Sequence, residues 1–290
     1  MALRQYDLEL LERVHKVEKE ILIKFITICE KYDLKYFVAF GTLLGTVRHK
    51  GFIPWDDDID VAMPRKDYEF FLKIAQEECG TEYFLQTVDT DENYHLFFAK
   101  LRMKDTIFVE SKLKHSKEMT GFYIDIFPYD FVPDDDNLMR EQMKRAEFLG
   151  LLLSIKRSKE PQIGQYNLIK EKMLKFVWIV LHYGMKVFRV KDITLKKKCS
   201  CAFRKYERES TTRLTCFFPE AEKWLIKREE ISELLTMPFE DIKVRVPKGY
   251  DAILRRNYGD YMQLPPEEKR VNHMPVKLKF RGEEEIEFEE

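Results

Sequence analysis

The chain has 290 residues, 44% hydrophobic and 13% aromatic, which allows a large core and excludes global disorder. Fifty basic against 51 acidic residues give a net charge of −1, which argues against a nucleic-acid binder working through bulk charge. The longest uncharged apolar stretch, 176–185, is about half of the roughly 20 residues that a bilayer span needs, and no apolar leader opens the chain. The five cysteines are odd in number and form no CxxC pair, so the expected compartment is reducing cytoplasm and no zinc site is expected.

From the N-terminus, Leu8, Leu11, Val14, Val17, Ile21, Phe25, Ile28 and Tyr32 recur at helical spacing, with Asp7 placed to cap. Lys35–Phe40 is aromatic and β-branched and predicts a strand. Gly41 and Thr42 break it, Leu43–Arg48 predicts a short helix, and His49–Pro54 predicts a loop. Asp58–Met63 alternates with period two and predicts a strand, and Lys66–Glu78 has a helical pattern. Strands are further predicted over Tyr94–Arg102, Thr106–Glu110 and Gly121–Phe127. Residues 137–205 are mostly helical in pattern, and short apolar runs and turns follow Cys216. This order predicts an α+β core with a mixed sheet and flanking helices, plus a mainly helical basic insertion. The expected units are a catalytic core over 1–135, the insertion over 136–215, and a C-terminal segment over 216–290 that completes the site and ends in an acidic tail. Between 151 and 213 sixteen Lys/Arg face five Asp/Glu, a local charge of +11 that would suit an anionic membrane surface or a polyanionic glycan.

Four acids in five positions, Asp56, Asp57, Asp58 and Asp60, are costly among apolar neighbours unless a cation compensates them. In a strand Asp58 and Asp60 share a face, while Asp57 turns away. All-oxygen ligands favour Mg²⁺ or Mn²⁺. A calcium loop fits poorly, because Val61 stands where that loop requires Gly. Gly41 and Thr42, between a strand and a helix, suit a phosphate. Arg48 offers a forked cation for phosphate oxygens, and His49 follows it. Asp125, flanked by Ile124 and Ile126, reads as a third metal ligand or as a base for a hydroxyl nucleophile. Asp130, past Pro128, reads as a turn residue.

The run from Gly41 through Arg48, His49, Trp55 and Asp56 to Val61, together with Asp125, resembles the LicD family of phosphotransferases within the nucleotidyltransferase-fold superfamily, which also includes fukutin-related relatives. The stretch from Val246 through Tyr250, Asn257-Tyr258, Asp260 and Leu264-Pro265-Pro266 to His273 is similar to the ending of that family. The resemblance implies a nucleotidyltransferase-like sheet and a metal-dependent transfer of a phospho-alcohol, phosphocholine first, from a CDP-alcohol donor to a glycan or glycolipid such as teichoic acid or lipopolysaccharide. In that reading Asp58, Asp60 and Asp125 hold Mg²⁺ or Mn²⁺. Gly41, Thr42, Arg48, Lys100 and Arg102 meet phosphate, and Asp125 activates the acceptor hydroxyl. Trp55, Tyr250, Tyr258 and Tyr261 are the aromatic candidates for a quaternary ammonium, His49 is a further substrate- or phosphate-binding candidate, and Asp260 and His273 close the site from the C-terminus. The expected location is cytoplasmic, with a peripheral contact at the inner membrane face through 151–213. Nucleotidyl transfer from an NTP, an Asp-x-Asp glycosyltransferase and a metal-stabilised binding module stay open as alternatives.

Overall fold

A computed structural model describes residues 6–114, 116–159, 168–217, 220–270 and 272–288. The last two residues of the acidic tail and residues 160–167 of the basic stretch lie outside these. Helix α1 (Leu8–Lys31) forms where the periodicity places it, and Asp7 caps it by accepting from Leu10 N–H at 2.8 Å. Strand β1 is only Phe37–Val38, shorter than expected. Phe40 takes φ 45°, and this bend sends the chain at once into α2 (Phe40–His49). Gly41 and Thr42 therefore lie in the first turn of the helix and not in a break before it. Next come β2 (Asp60–Pro64), α3 (Arg65–Glu78), β3 (Tyr83–Gln86), β4 (Ala99–Met103), β5 (Ile107–Val109) and β6 (Tyr123–Val132).

The expected strand over 94–102 starts late. Asp91 accepts from the Asn93 and Met119 amides, and the Tyr94 hydroxyl donates to the Phe98 carbonyl, which folds that segment into bends. Strand β3 carries no clear alternation and escapes the sequence pattern. Three helices, α4 (Asp136–Arg157), α5 (Leu168–Val187) and α6 (Asp192–Phe203), make the expected helical stretch. After them come β7 (Arg213–Thr215), β8 (Ile226–Lys227), β9 (Leu234–Phe239), β10 (Ile242–Pro247), α7 (Tyr250–Tyr258), β11 (Lys277–Lys279) and β12 (Ile286–Glu287).

The main sheet is mixed, in the order β1-β2-β6-β4-β3, with β7 on the second half of β6 and β8 on β7. Strand β2 runs parallel to β6, and the other neighbours are antiparallel. One face is apolar: Val61, Leu101, Ile124 and Ile126 are fully buried, and α1 and α3 cover the sheet. Fifty buried side chains join in this core, so its burial dominates the fold. A second, small cluster joins Ala146 and Leu149 of α4 to Cys199, Ala202 and Phe203 of α6. At the end of α4 the Arg157 guanidinium donates to the carbonyls of Val88, Asp91 and Tyr94 and pairs with Asp192 at 2.5 Å. The helical layer is thereby pinned to the loop after β3.

Asp130 is not a turn residue. It lies within β6 at 2% exposure, and Arg65 grips it with two hydrogen bonds, at 2.7 and 2.5 Å. Removing one partner strands the other charge in the interior. Arg65→Met is expected to lower stability by about 3–5 kcal/mol. Arg65→Met with Asp130→Leu should recover most of that loss, as read by urea unfolding of the single and double variants.

Candidate active site

The site lies on the polar face of the main sheet. Asp60 opens β2 and stands directly across from Asp125 of β6. Asp125 in turn stands across from Lys100 of β4, and Lys100 across from Gln86 of β3. Register thus draws one polar row across four strands. In adjacent strands side chains at matched positions share a face, so the two carboxylates and the ammonium point the same way. The Lys100 ammonium meets Asp125 Oδ1 at 2.8 Å and sits 3.4 Å above the Tyr123 ring. The Asp125 amide donates to the Ile59 carbonyl at 2.9 Å, which locks the two strands where the acids meet.

Asp58 lies just before the strand and joins the acids from the loop. Burial, with the charges of Asp57 and Asp125 added, pushes the Asp58 carboxyl up to about 6 despite the opposing charge of His273. Burial also raises Asp60 well above the usual carboxylate range, and Asp58 and Asp125 push it the same way. Asp125 is raised by burial, an effect that Lys100 opposes. The residues predicted to ligate metal are therefore gathered, although they do not close into a set within 4.8 Å of one another.

A tighter group exists among the described residues: one ligand atom each from Asp56, Asp57 and His273, all within 4.8 Å. Its chemistry is that of an ion pair. Buried Asp57 accepts from the Tyr6 hydroxyl at 2.8 Å and from the His273 amide at 2.7 Å. The hydrogen bond to Asp57 heads the causes that raise His273 to about 9, which favours the charged ring beside the acids. Asp57 holds the C-terminal segment against the acidic loop, and His273 Nδ1 lies 3.4 Å from Asp57 and 3.5 Å from Asp58.

The expected phosphate cradle is differently employed. Thr42 Oγ1, 4% exposed, accepts the Asp60 amide at 2.8 Å and ties α2 to the start of β2. A Cβ on Gly41 would fall 2.8 Å from Asp56 Oδ2, so glycine there makes room for a carboxylate at the helix start. Arg48 lies at the other end of α2. Its Nε donates to His49 Nε2 at 2.8 Å and its Nη1 to the Tyr261 carbonyl at 2.8 Å. Burial lowers the Arg48 pKa, and the neighbouring charge of Arg270 lowers it further. The Arg270 guanidinium sits 5.0 Å over the Trp55 ring, whose edge meets His49. Arg102 is not at the open face. It is 1% exposed, with Nε on Gln86 at 2.6 Å and Nη1 on the Gly121 carbonyl at 2.6 Å. Tyr258 lies close enough to Asp60, Asp56 and Asp58 for their charges to raise its pKa, although burial is the larger cause. Tyr250, half-buried, packs against the core, and the Tyr261 hydroxyl bonds Asp251 at 2.7 Å. Asp260 accepts from the Gln263 amide group at 2.7 Å, on the exposed surface.

Several site residues escape the sequence reading. Glu18 lies fully inside, and burial with the charges of Asp57 and Asp58 raises its carboxyl well above the usual range. Its place on the apolar stripe of α1, between Val14 and Ile21, is the signal. His15 stacks on Phe52 at 3.8 Å and has Nε2 2.7 Å from the Asp56 carbonyl. Beside the polar row, Phe98, Phe127, Phe40 and Trp224 form a chain of ring contacts at 4.3–5.0 Å. Replacing Thr42 by Val would leave the buried Asp60 amide without an acceptor. A loss of about 1–3 kcal/mol is expected, with Thr42→Ser close to native, both measured by chemical denaturation.

Residues 33–149 match the family model described as LicD/FKTN/FKRP, nucleotidyltransferase domain. Over 259 residues the chain is 30% identical to the lipopolysaccharide cholinephosphotransferase LicD of Haemophilus influenzae, covering 87% of this chain and 91% of that protein. An uncharacterized protein of Rickettsia prowazekii is 33% identical over 107 residues, 37% of this chain and 38% of its own length. An uncharacterized protein of Rickettsia typhi is 48% identical over 44 residues, 15% of this chain and 14% of its own length. With the acids of the matched segment gathered on one sheet face and most of both chains aligned to the Haemophilus protein, the chain belongs to the LicD family.

Proposed function

We propose that this chain is a metal-dependent phosphotransferase that moves phosphocholine, or a related phospho-alcohol, from a CDP-alcohol to a cell-surface glycan such as lipopolysaccharide or teichoic acid, releasing CMP. The observation that carries this reading is the row Asp60–Asp125–Lys100 with Asp58 beside it. The cholinephosphotransferase activity named for the Haemophilus relative supports the transferred group and the acceptor class.

A divalent cation fits the acids by their chemistry. The donors are carboxylate oxygens only, Asp60 buried with Asp58 and Asp125 half-buried, and each is raised by desolvation with neighbouring acids adding to it. Asp58, Asp60 and Asp125 would hold it. When bound, Mg²⁺ or Mn²⁺ supplies charge neutralisation at the pyrophosphate oxygens.

The remaining work falls to side chains. Lys100 fixes the orientation of Asp125 through its ion pair and keeps a positive charge beside the reacting phosphorus. Asp125 accepts the proton of the acceptor hydroxyl as its oxygen attacks the phosphorus that carries the alcohol, and the bond to CMP breaks in line. Arg48 and Arg270, two neighbouring cations, suit the phosphates of the donor. A trimethylammonium group needs aromatic faces, and Phe98, Phe127, Phe40, Trp224 and Tyr258 border the acids. Trp55, whose face already carries Arg270, is the weaker candidate.

With CDP-choline, Mg²⁺ and lipopolysaccharide or teichoic acid, the expected products are CMP and choline phosphate on the glycan. Pyrophosphate released from an NTP would assign nucleotidyl transfer in its place. Asp125→Asn is expected to lower kcat by about 10²–10⁴-fold with the fold retained. Asp60→Asn should abolish turnover and yet raise the melting temperature of the metal-free protein, because it removes one of several repelling buried charges. Turnover that persists in excess EDTA would remove the metal from this reading.

A further inference from the structure

Helix α5 is apolar on two opposite sides, and among the described residues only one of them is used inside the protein. On the inner side Trp178 Nε1 donates to the Ser158 carbonyl at 2.8 Å, and buried His182 has Nδ1 2.7 Å from the Ile155 carbonyl. The outer side carries Met173, Phe176, Val177, Val180 and Val187, with Phe188 just past the helix end. These are 58, 68, 47, 52, 77 and 84% exposed. Their spacing keeps them on one stripe, the pattern by which a helix normally faces a core. An apolar patch of this kind marks an interaction surface.

Charge indicates what covers it. From 168 to 203 the chain has nine Lys/Arg and two acids, a net +7. Both acids are already neutralised: Glu171 pairs with Lys175 at 2.6 Å and Asp192 with Arg157 at 2.5 Å. Lys172, Lys175 and Lys186 line one flank of the apolar stripe, and Arg189, Lys191, Lys197 and Lys198 follow the helix. A basic rim around exposed Phe, Val and Met complements anionic head groups above an acyl layer.

We propose that the outer face of α5 docks on an anionic lipid bilayer, with the helix axis in the plane of the interface. Its apolar side chains enter the head-group boundary and its lysines meet the lipid phosphates. Among the described residues no helix is long and apolar enough to cross a membrane, so α5 lies on the bilayer. Behind the docking face is a cavity of about 780 Å³, bounded by Trp178 and Leu151 on one side and by Phe98 on the other. The Phe98 ring is 5.6 Å from the Lys100 ammonium.

The test is co-sedimentation of the full chain with phosphatidylcholine vesicles with and without phosphatidylglycerol. Binding is expected to the anionic vesicles, to weaken at high salt, and to fall roughly tenfold or more in Phe176→Glu/Val180→Glu, since charge then replaces inserted apolar surface. Both side chains are exposed, so the variant should melt with the native chain; Val187→Glu/Phe188→Glu repeats the test on a second pair. Absence of vesicle binding, or binding that neither variant weakens, overturns the proposal. A solution dimer that the variants split, with no vesicle binding, overturns it in favour of a second copy on this face. Transfer of choline phosphate to a soluble acceptor, with release of CMP, is measured separately, so the docking face and the transferase reading fail independently.

Discussion

Two carboxylates set side by side on parallel strands are the constraint around which this protein is arranged. Asp60, buried, and Asp125, half-buried, hold matched positions on β2 and β6. Like charges so placed repel, and burial removes the solvent that would screen them. The surroundings hold them in place in three ways. Lys100 sets a cation on the next strand in the same row. Thr42 grips the Asp60 amide and the Ile59 carbonyl grips the Asp125 amide, so the backbones cannot slide apart. The opposite face of the same strands is buried hydrocarbon, which fixes the register through side-chain alternation.

The acidic run is sorted by geometry into unlike parts. Asp58 and Asp60 face the polar row. Asp57 clamps Tyr6 and the His273 amide. Asp56 fills the space beside Gly41. Neighbouring identical residues thus serve as charge centre, structural tie and helix-end partner. The C-terminal segment is held over the site by the same logic: His273 meets the acidic loop, while Arg48 reaches from α2 to the carbonyl of Tyr261.

Much of this is legible in the sequence where the physics is local. Period-3.6 and period-2 patterns place α1, α3, β2 and β6 within a few residues. An acid between two isoleucines marks Asp125 as out of keeping with a plain core strand. What depends on distant partners is not legible. Asp130 looks like a turn residue until Arg65, 65 positions away, is seen to hold it. Arg102 reads as a phosphate contact, yet Gln86 and the Gly121 carbonyl hold it inside. The Thr42 hydroxyl, which suits a phosphate by type, accepts a backbone amide 18 positions on. The early bend at Phe40 rests on a left-handed backbone angle that no local propensity announces.

The Arg157 clamp has a mechanical consequence. One guanidinium at the tip of α4 fastens the helical layer to three carbonyls of the 88–94 loop. Asp91 in that loop holds Gln86, and Gln86 holds Arg102 inside the sheet. A load taken on the outer helices therefore has a continuous hydrogen-bonded route to the strands, from α4 through the 88–94 loop to β3 and β4.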